Sequence, residues 1–151
     1  MQQINFDSGI REFQINGGGV LRFNPSDMNV YSRFMAAIDD IRKVETKLEE
    51  KFTALAAEGT GVEFLQFSAE ADREVKRILS EVFGNQNDFD EIFGGVNIMT
   101  PAGNGELVLT NFLYAMLPVI EKGARNFAKG QAEAVKKTQN RAQRRAAAKK
   151  S

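Results

Sequence analysis

The N-terminal region contains a stretch in which apolar and polar positions alternate. Arg11, Phe13 and Ile15 fall on one face and Ile10, Glu12 and Gln14 on the other, a period of two that is typical of a β-strand. Residues 16–19, Asn-Gly-Gly-Gly, tolerate positive φ angles, and a second apolar run follows them. The pattern predicts a β-hairpin over residues 10–24, which must pack on other elements because an isolated hairpin is marginally stable in water.

A long amphipathic helix is predicted next, over residues 25–58. Its apolar stripe recurs every seven residues and consists of Phe34, Ile41, Leu48 and Leu55. Residues 24–27, Asn-Pro-Ser-Asp, supply a helix start, and Gly59 and Gly61 supply a stop. Ala37 and Val44 form an intermediate seam at the same spacing, and Lys51 interrupts this seam, which favours packing inside a bundle over a long free coiled coil.

Two further helices are predicted over residues 68–83 and 106–122, each from apolar residues at three- and four-residue spacing. Pro118 lies inside the last of them and predicts a kink or a break. Asp88 is placed to cap a short helix between the two. The fold class expected is therefore mainly α, with a small N-terminal β-hairpin and a helical bundle-like body.

Charge divides the chain into an acidic body and a basic tail. Residues 128–151 contain eight Lys or Arg and one Glu, a net charge of +7. Residues 1–127 contain twelve Lys or Arg and nineteen Asp or Glu, a net charge of −7. We expect a body over 1–127 and a helical or disordered tail over 128–151. The cations expected to contact a polyanion or an acidic protein surface are Lys136, Lys137, Arg141, Arg144 and Arg145.

The residue types that the chain lacks limit the catalytic and metal sites that it could form. The chain has no Cys and no His, which excludes disulfides, thiolate metal sites, cysteine nucleophiles and a Ser-His-Asp triad. The carboxylates of Asp88, Asp90 and Glu91 are interpreted as helix capping and solvation, since Phe89 breaks the calcium-loop pattern. Residues 103–105, Gly-Asn-Gly, lack the third glycine of a dinucleotide fingerprint. We expect neither enzymatic activity nor a cofactor or metal.

The N-terminus lacks the charged and apolar regions of a secretory signal. The most apolar stretch, residues 112–120, is too short to span a bilayer. These observations predict a cytoplasmic protein that makes no membrane contact.

Several Phe residues are close together in sequence and lie beside glycines. They have two interpretations, since Phe is usually buried but could also line a groove for a partner helix. The candidate partner-binding residues, including two from the last helix, are Phe83, Phe89, Phe93, Phe112 and Met116.

Four segments give the chain a family resemblance: Val-Leu-Arg-Phe-Asn-Pro-Ser-Asp (20–27), Glu-Val-Phe-Gly-Asn-Gln-Asn (81–87), Ile-Phe-Gly-Gly-Val-Asn (92–97) and Gly-Glu-Leu-Val-Leu-Thr-Asn-Phe-Leu (105–113). Over about residues 10–125 the chain resembles the small tail assembly chaperones encoded in the tail modules of siphophages of Gram-positive bacteria. The resemblance implies a non-enzymatic protein of the host cytoplasm. It would coat the helical, hydrophobic tape measure protein before the tail tube polymerises, and it implies no catalytic residues.

Two alternative functions stay open. The first is a nucleic-acid-binding accessory protein that acts through the basic tail. The second is a minor structural virion protein, such as a tail or head completion protein. Self-association also stays open.

Overall fold

Four helices and one two-stranded antiparallel sheet make up the part of the chain that the structure describes. This computed structural model describes residues 1–58 and 61–150, with side chains for residues 1–55 and 61–148. In chain order the elements are β1 (Arg11–Gln14), β2 (Val20–Phe23), α1 (Met28–Glu58), α2 (Gly61–Phe83), α3 (Phe89–Ile92) and α4 (Val108–Lys150). The mainly α architecture with an N-terminal hairpin is the one that the sequence predicts.

The hairpin turn forms at the glycine-rich segment. Asn16 and Gly17 adopt φ angles of 50° and 71°, and the register pairs Phe13 with Leu21. At the end of the turn, a Cβ on Gly19 would lie 2.4 Å from the Cα of Ile92. The missing side chain therefore lets the turn pack directly on α3, which gives the hairpin the support it needs.

Helix α1 begins later, and α2 earlier, than predicted. The Asn24 segment forms a turn of its own, and the side chain of Asp27 accepts a hydrogen bond from the Asn29 amide at 2.9 Å, so α1 begins at Met28. The predicted connector around Phe64 is helical, because α2 begins at Gly61. The ring of Phe64 packs edge-on against that of Phe52 in α1 at 5.1 Å, a tertiary contact that favours the extra turns. The predicted stop at Gly59 lies outside the described residues.

The hydrophobic core is assembled from all of these elements. Its central residue is Phe83, at the end of α2, whose ring lies 4.9 Å from Phe23 of the hairpin and 6.3 Å from Phe34 of α1. Helix α4 contributes a stripe of side chains on its inner face, namely Leu109, Phe112, Met116 and Ile120.

Helix α4 changes character near Gly123. Before this point it packs on the body, and a Cβ on Gly123 would lie only 1.7 Å from the carbonyl oxygen of Pro25. Beyond it, the side chains of residues 125–148 are exposed. The helix runs through Pro118 and through the predicted boundary at 127/128 without an assigned break, and the Ala, Gln, Lys and Arg of the tail are good helix formers.

Candidate partner-binding groove

The predicted partner-binding residues come together, but most of them lie inside the body. Phe83, Phe89, Phe112 and Met116 are buried, and Phe93 is half-buried. The ring of Phe89 lies 5.8 Å from Phe83 and 6.2 Å from Phe112, and that of Phe93 lies 5.0 Å from Phe112. In this conformation the four buried side chains belong to the core, and a partner could reach them only if the body opened.

The apolar surface of α4 that a partner could contact is a second stripe, displaced by one residue from the buried stripe. Thr110, Leu113, Tyr114 and Leu117 repeat at three- and four-residue spacing, as the buried stripe does, but are rotated by about 100° from it. Leu113 and Leu117 are half-buried, whereas Tyr114 is 70% exposed. The helix therefore has one apolar stripe for the core and a second that is only partly covered.

This second stripe faces α1 across a groove, which we call the α1–α4 groove. Its residues from α1 are Phe34, Ile38, Ile41, Arg42 and Glu45, and those from α4 are Thr110, Leu113, Tyr114 and Leu117. Its volume is about 320 Å³. Because Phe34 and Ile41 are buried and Ile38 is half-buried, the groove has an apolar floor with polar groups at one end.

A poorly neutralised carboxylate stands at that polar end. Burial raises the pKa of Glu45 above its ordinary value, and repulsion from Glu49 raises this pKa further, while the nearby Arg42 lowers it. The net upward direction means that the charged form of Glu45 is less favourable here than in open water. A cation brought by a partner would stabilise that charged form.

A second apolar depression includes Phe93, the predicted partner residue with exposed surface. It is lined by Ile15, Ile92, Phe93, Val96 and Val108 together with backbone of the glycine-rich hairpin turn, and its volume is about 440 Å³. The hairpin and loops form much of its wall, so it lacks the two facing helix stripes that shape the α1–α4 groove.

A buried lysine network, which the sequence patterns do not reveal, lies among residues that do not line the α1–α4 groove. Lys76 is 7% exposed, and its Nζ donates to Asp72 at 2.9 Å, to Asp90 at 2.8 Å and to the carbonyl of Val96 at 2.8 Å. The other carboxylate oxygen of Asp72 accepts from the Ile98 amide at 2.8 Å. Burial alone would lower the pKa of Lys76, but the hydrogen bonds with Asp90 and Asp72 outweigh it, and the pKa is raised. The network joins α2, α3 and the loop before α4.

Asn87 is a second structural residue that the sequence patterns do not reveal. Its side chain is buried, accepts from the Arg22 amide at 2.9 Å and donates to the Arg22 carbonyl at 2.9 Å. It also donates to the carbonyl of Phe83 at 3.1 Å. The Asn87 side chain thus forms the two hydrogen bonds with the Arg22 backbone that a neighbouring β-strand would form. It also links the hairpin to the end of α2 through Phe83.

Of the three carboxylates near α3, Asp88 caps the helix as predicted, whereas the ion pair of Asp90 was not predicted. The side chain of Asp88 accepts from the amides of Asp90 and Glu91 at 3.0 and 3.3 Å, and Asp90 pairs with Lys76. Within residues 1–55 and 61–148, no group of three or more His, Cys, Asp or Glu side chains could hold a metal ion. In the same ranges, no helix combines the length and apolar character needed to cross a membrane.

The predicted tail cations are all exposed on the distal part of α4. This set consists of Lys136, Lys137, Arg141, Arg144 and Arg145. In the part of the chain with described side chains, none of them forms an ion pair with a carboxylate.

Comparison of this chain with protein-family models, with curated proteins and with solved structures gives no match.

Proposed function

We propose that this chain is a non-enzymatic tail assembly chaperone that holds an amphipathic helix of the tape measure protein in the α1–α4 groove. The observation that supports this proposal best is the pair of facing helical stripes, one on α1 and one on α4, with the groove between them. Grooves between two helices are a recurrent receptor for the apolar face of a third helix.

The dimensions of the groove suit a few side chains of such a helix. A volume of about 320 Å³ accommodates two or three aliphatic or aromatic groups, out of the three or four that one helical face presents over two turns. Each fully buried group of this kind contributes about 1.5–3 kcal/mol. Two or three of them give a useful affinity once the cost of association is subtracted.

The charge at the polar end of the groove limits the kind of helix that fits it. Glu45 lies in the groove with a raised pKa, so a partner helix with Lys or Arg beside its apolar face fits better than an acidic one. The resemblance to siphophage tail assembly chaperones supplies the identity of the partner, since the tape measure protein is a long helical protein with apolar surface to shield before assembly.

Co-expression with the tape measure protein tests the proposal. The informative variant is Tyr114→Glu, which places a carboxylate on the exposed side of the groove that Glu45 also lines. Because Tyr114 is 70% exposed, this change should leave the melting temperature nearly unchanged. It should lower the amount of tape measure protein retained in a pull-down by tenfold or more, which corresponds to about 1.4 kcal/mol.

Leu65→Glu is the matched control, because Leu65 is 67% exposed on α2 and does not line the groove. It should retain the tape measure protein as the unchanged chain does. The proposal fails if the unchanged chain neither retains nor solubilises the tape measure protein, or if the two variants behave alike.

A further inference from the structure

The distal part of α4 is a helix without a protein surface to pack on. Residues 125–148 are exposed throughout and carry seven Lys or Arg side chains against the single carboxylate of Glu133. Because no described carboxylate forms an ion pair with these cations, their charge is directed entirely at solvent. An uncompensated basic helix of this kind attracts a polyanion.

The charges are sorted onto one side of the helix. At 3.6 residues per turn, the charged side chains from Lys129 to Arg145 span about half of the circumference. The remaining half is uncharged over this stretch, and its side chains belong to Ala128, Gln131, Ala132, Val135, Thr138, Gln139, Ala142, Gln143 and Ala146. The basic side extends for about 24 Å, at a rise of 1.5 Å per residue.

The uncharged side argues against a membrane surface as the target. Helices that lie in a membrane interface bury Trp, Phe or Leu on the side opposite their cations. Here that side offers Ala, Gln, Thr and the single small aliphatic Val135, which provide little apolar area to bury in lipid.

The distribution of acidic residues argues against a second copy of the body as the target. On α1, the segment 39–51 holds five carboxylates, but these alternate with four cations. On α2, Arg77 already pairs with Glu74 and Glu81. The negative charge of the body is therefore interspersed with positive charge. On the basic side of α4, by contrast, six cations accompany the single carboxylate of Glu133, a net charge that a continuous row of anions would match better.

Duplex DNA supplies such a row. It carries about one negative charge per 1.7 Å of its axis, and its major groove is wide enough to admit an α-helix. Single strands are a poorer fit, because the chain has no aromatic residue after Phe127 on which bases could stack.

From this geometry we infer that the distal part of α4 binds double-stranded DNA through its phosphates, without sequence preference. Phosphate contacts position a protein on the duplex but carry no sequence information. The three Gln of the stretch from Lys129 to Arg145 lie on the uncharged half of the helix, away from the side that would contact the phosphates. This activity is separate from the α1–α4 groove and does not depend on the chaperone proposal.

Fluorescence anisotropy of a labelled 24-base-pair duplex of mixed sequence, titrated with the full chain at 50 and 200 mM salt, tests the inference. If five cations contact phosphates, the slope of log affinity against log salt should be about −4.5, so the affinity should fall roughly 500-fold over this range. The variant Lys136→Gln/Lys137→Gln/Arg141→Gln/Arg144→Gln should reduce the slope to about −0.9 and keep its helical circular dichroism signal, because Gln is a good helix former. The control Gln139→Ala/Gln143→Ala, on the uncharged half, should bind as the unchanged chain does.

Several results would overturn the inference. No anisotropy change at 50 mM salt would do so, as would equal binding by the four-Gln variant. Equally tight binding of polyglutamate or of phosphatidylserine vesicles would show a general attraction to anions. Oligomers of the unchanged chain in sedimentation velocity without DNA, lost in the four-Gln variant, would assign the basic side to a second copy instead.

Discussion

Replacing Gly123 with alanine tests how closely α4 crosses the segment that precedes α1. The added methyl carbon would lie 1.7 Å from the carbonyl oxygen of Pro25 and 2.5 Å from its carbonyl carbon. Both are backbone atoms, so no rotation of a side chain relieves the overlap, and the helix or the Pro25 segment must shift. Overpacking of this kind typically costs about 1–3 kcal/mol.

Helix propensity acts in the opposite direction and must be separated from the overlap. Alanine stabilises a helix interior by about 0.5–1 kcal/mol relative to glycine. Gly130 lies further along the same helix, and a Cβ added there would meet no atom within 4 Å. Gly130→Ala should therefore show at most the propensity gain and no overlap, so the difference between the two variants gives the approximate cost of the overlap.

Urea denaturation followed by circular dichroism measures both changes as shifts of the midpoint at constant slope. Gly130→Ala should raise the midpoint by at most the propensity gain, because residue 130 lies in the exposed part of α4 that does not pack on the body. Gly123→Ala should lower it, with a difference of about 1–3 kcal/mol between the two variants. If Gly123→Ala is as stable as Gly130→Ala, the helix does not approach Pro25 closely and α4 packs differently on the body.

Three further predictions concern the core, the buried network and the tail. Phe83→Ala should destabilise the fold by about 3–5 kcal/mol in a thermal melt, whereas a residue used only for partner binding would leave the melt unmoved. Lys76→Met should lower the free energy of unfolding by about 3 kcal/mol. This is the lower end of the range for breaking a buried ion pair, because the Asp90 partner is exposed to solvent. The control Lys43→Met, at an exposed position, should change the free energy of unfolding by less than about 0.5 kcal/mol. Because folding raises the pKa of Lys76, the stability that its charged form contributes should be fully present below about pH 10.4, the ordinary pKa of lysine. It should be lost as the pH rises through the higher pKa of the folded state, which a series of thermal melts at increasing pH measures. Removing residues 128–151 should shift the melting temperature by less than about 4 °C, since each kcal/mol corresponds to about 2–4 °C and the tail buries little apolar area.

The periodicity of apolar residues was enough to predict most of the fold. The hairpin and the length of helix described for α1 follow from local signals, namely the positive φ angles available at Gly17 and the heptad stripe that runs to Leu55. The early start of α2 does not, because it accompanies a contact between Phe52 and Phe64 on different helices. Tertiary contacts of this kind override local boundary signals.

The candidate site was less accessible to sequence reasoning. The sequence predicts that the residues around Phe83 form a cluster. A helical period cannot tell which of two adjacent stripes on α4 faces the core, because Leu113 and Tyr114 differ from Phe112 by only one or two positions. The Asn87 bridge joins residues 65 positions apart, and no spacing rule predicts such a pair. The Asp72–Lys76 pair has the spacing of an ordinary surface ion pair, so nothing in the sequence marked it as buried.

Site-specific photocrosslinking in cells that co-express the tape measure protein tests the central claim most directly. A benzoylphenylalanine at position 114 should crosslink to the tape measure protein, because the α1–α4 groove is proposed to hold its helix. The same group at position 65, equally exposed but outside the groove, should give no such crosslink. A crosslink from position 65 and none from position 114 would contradict the account.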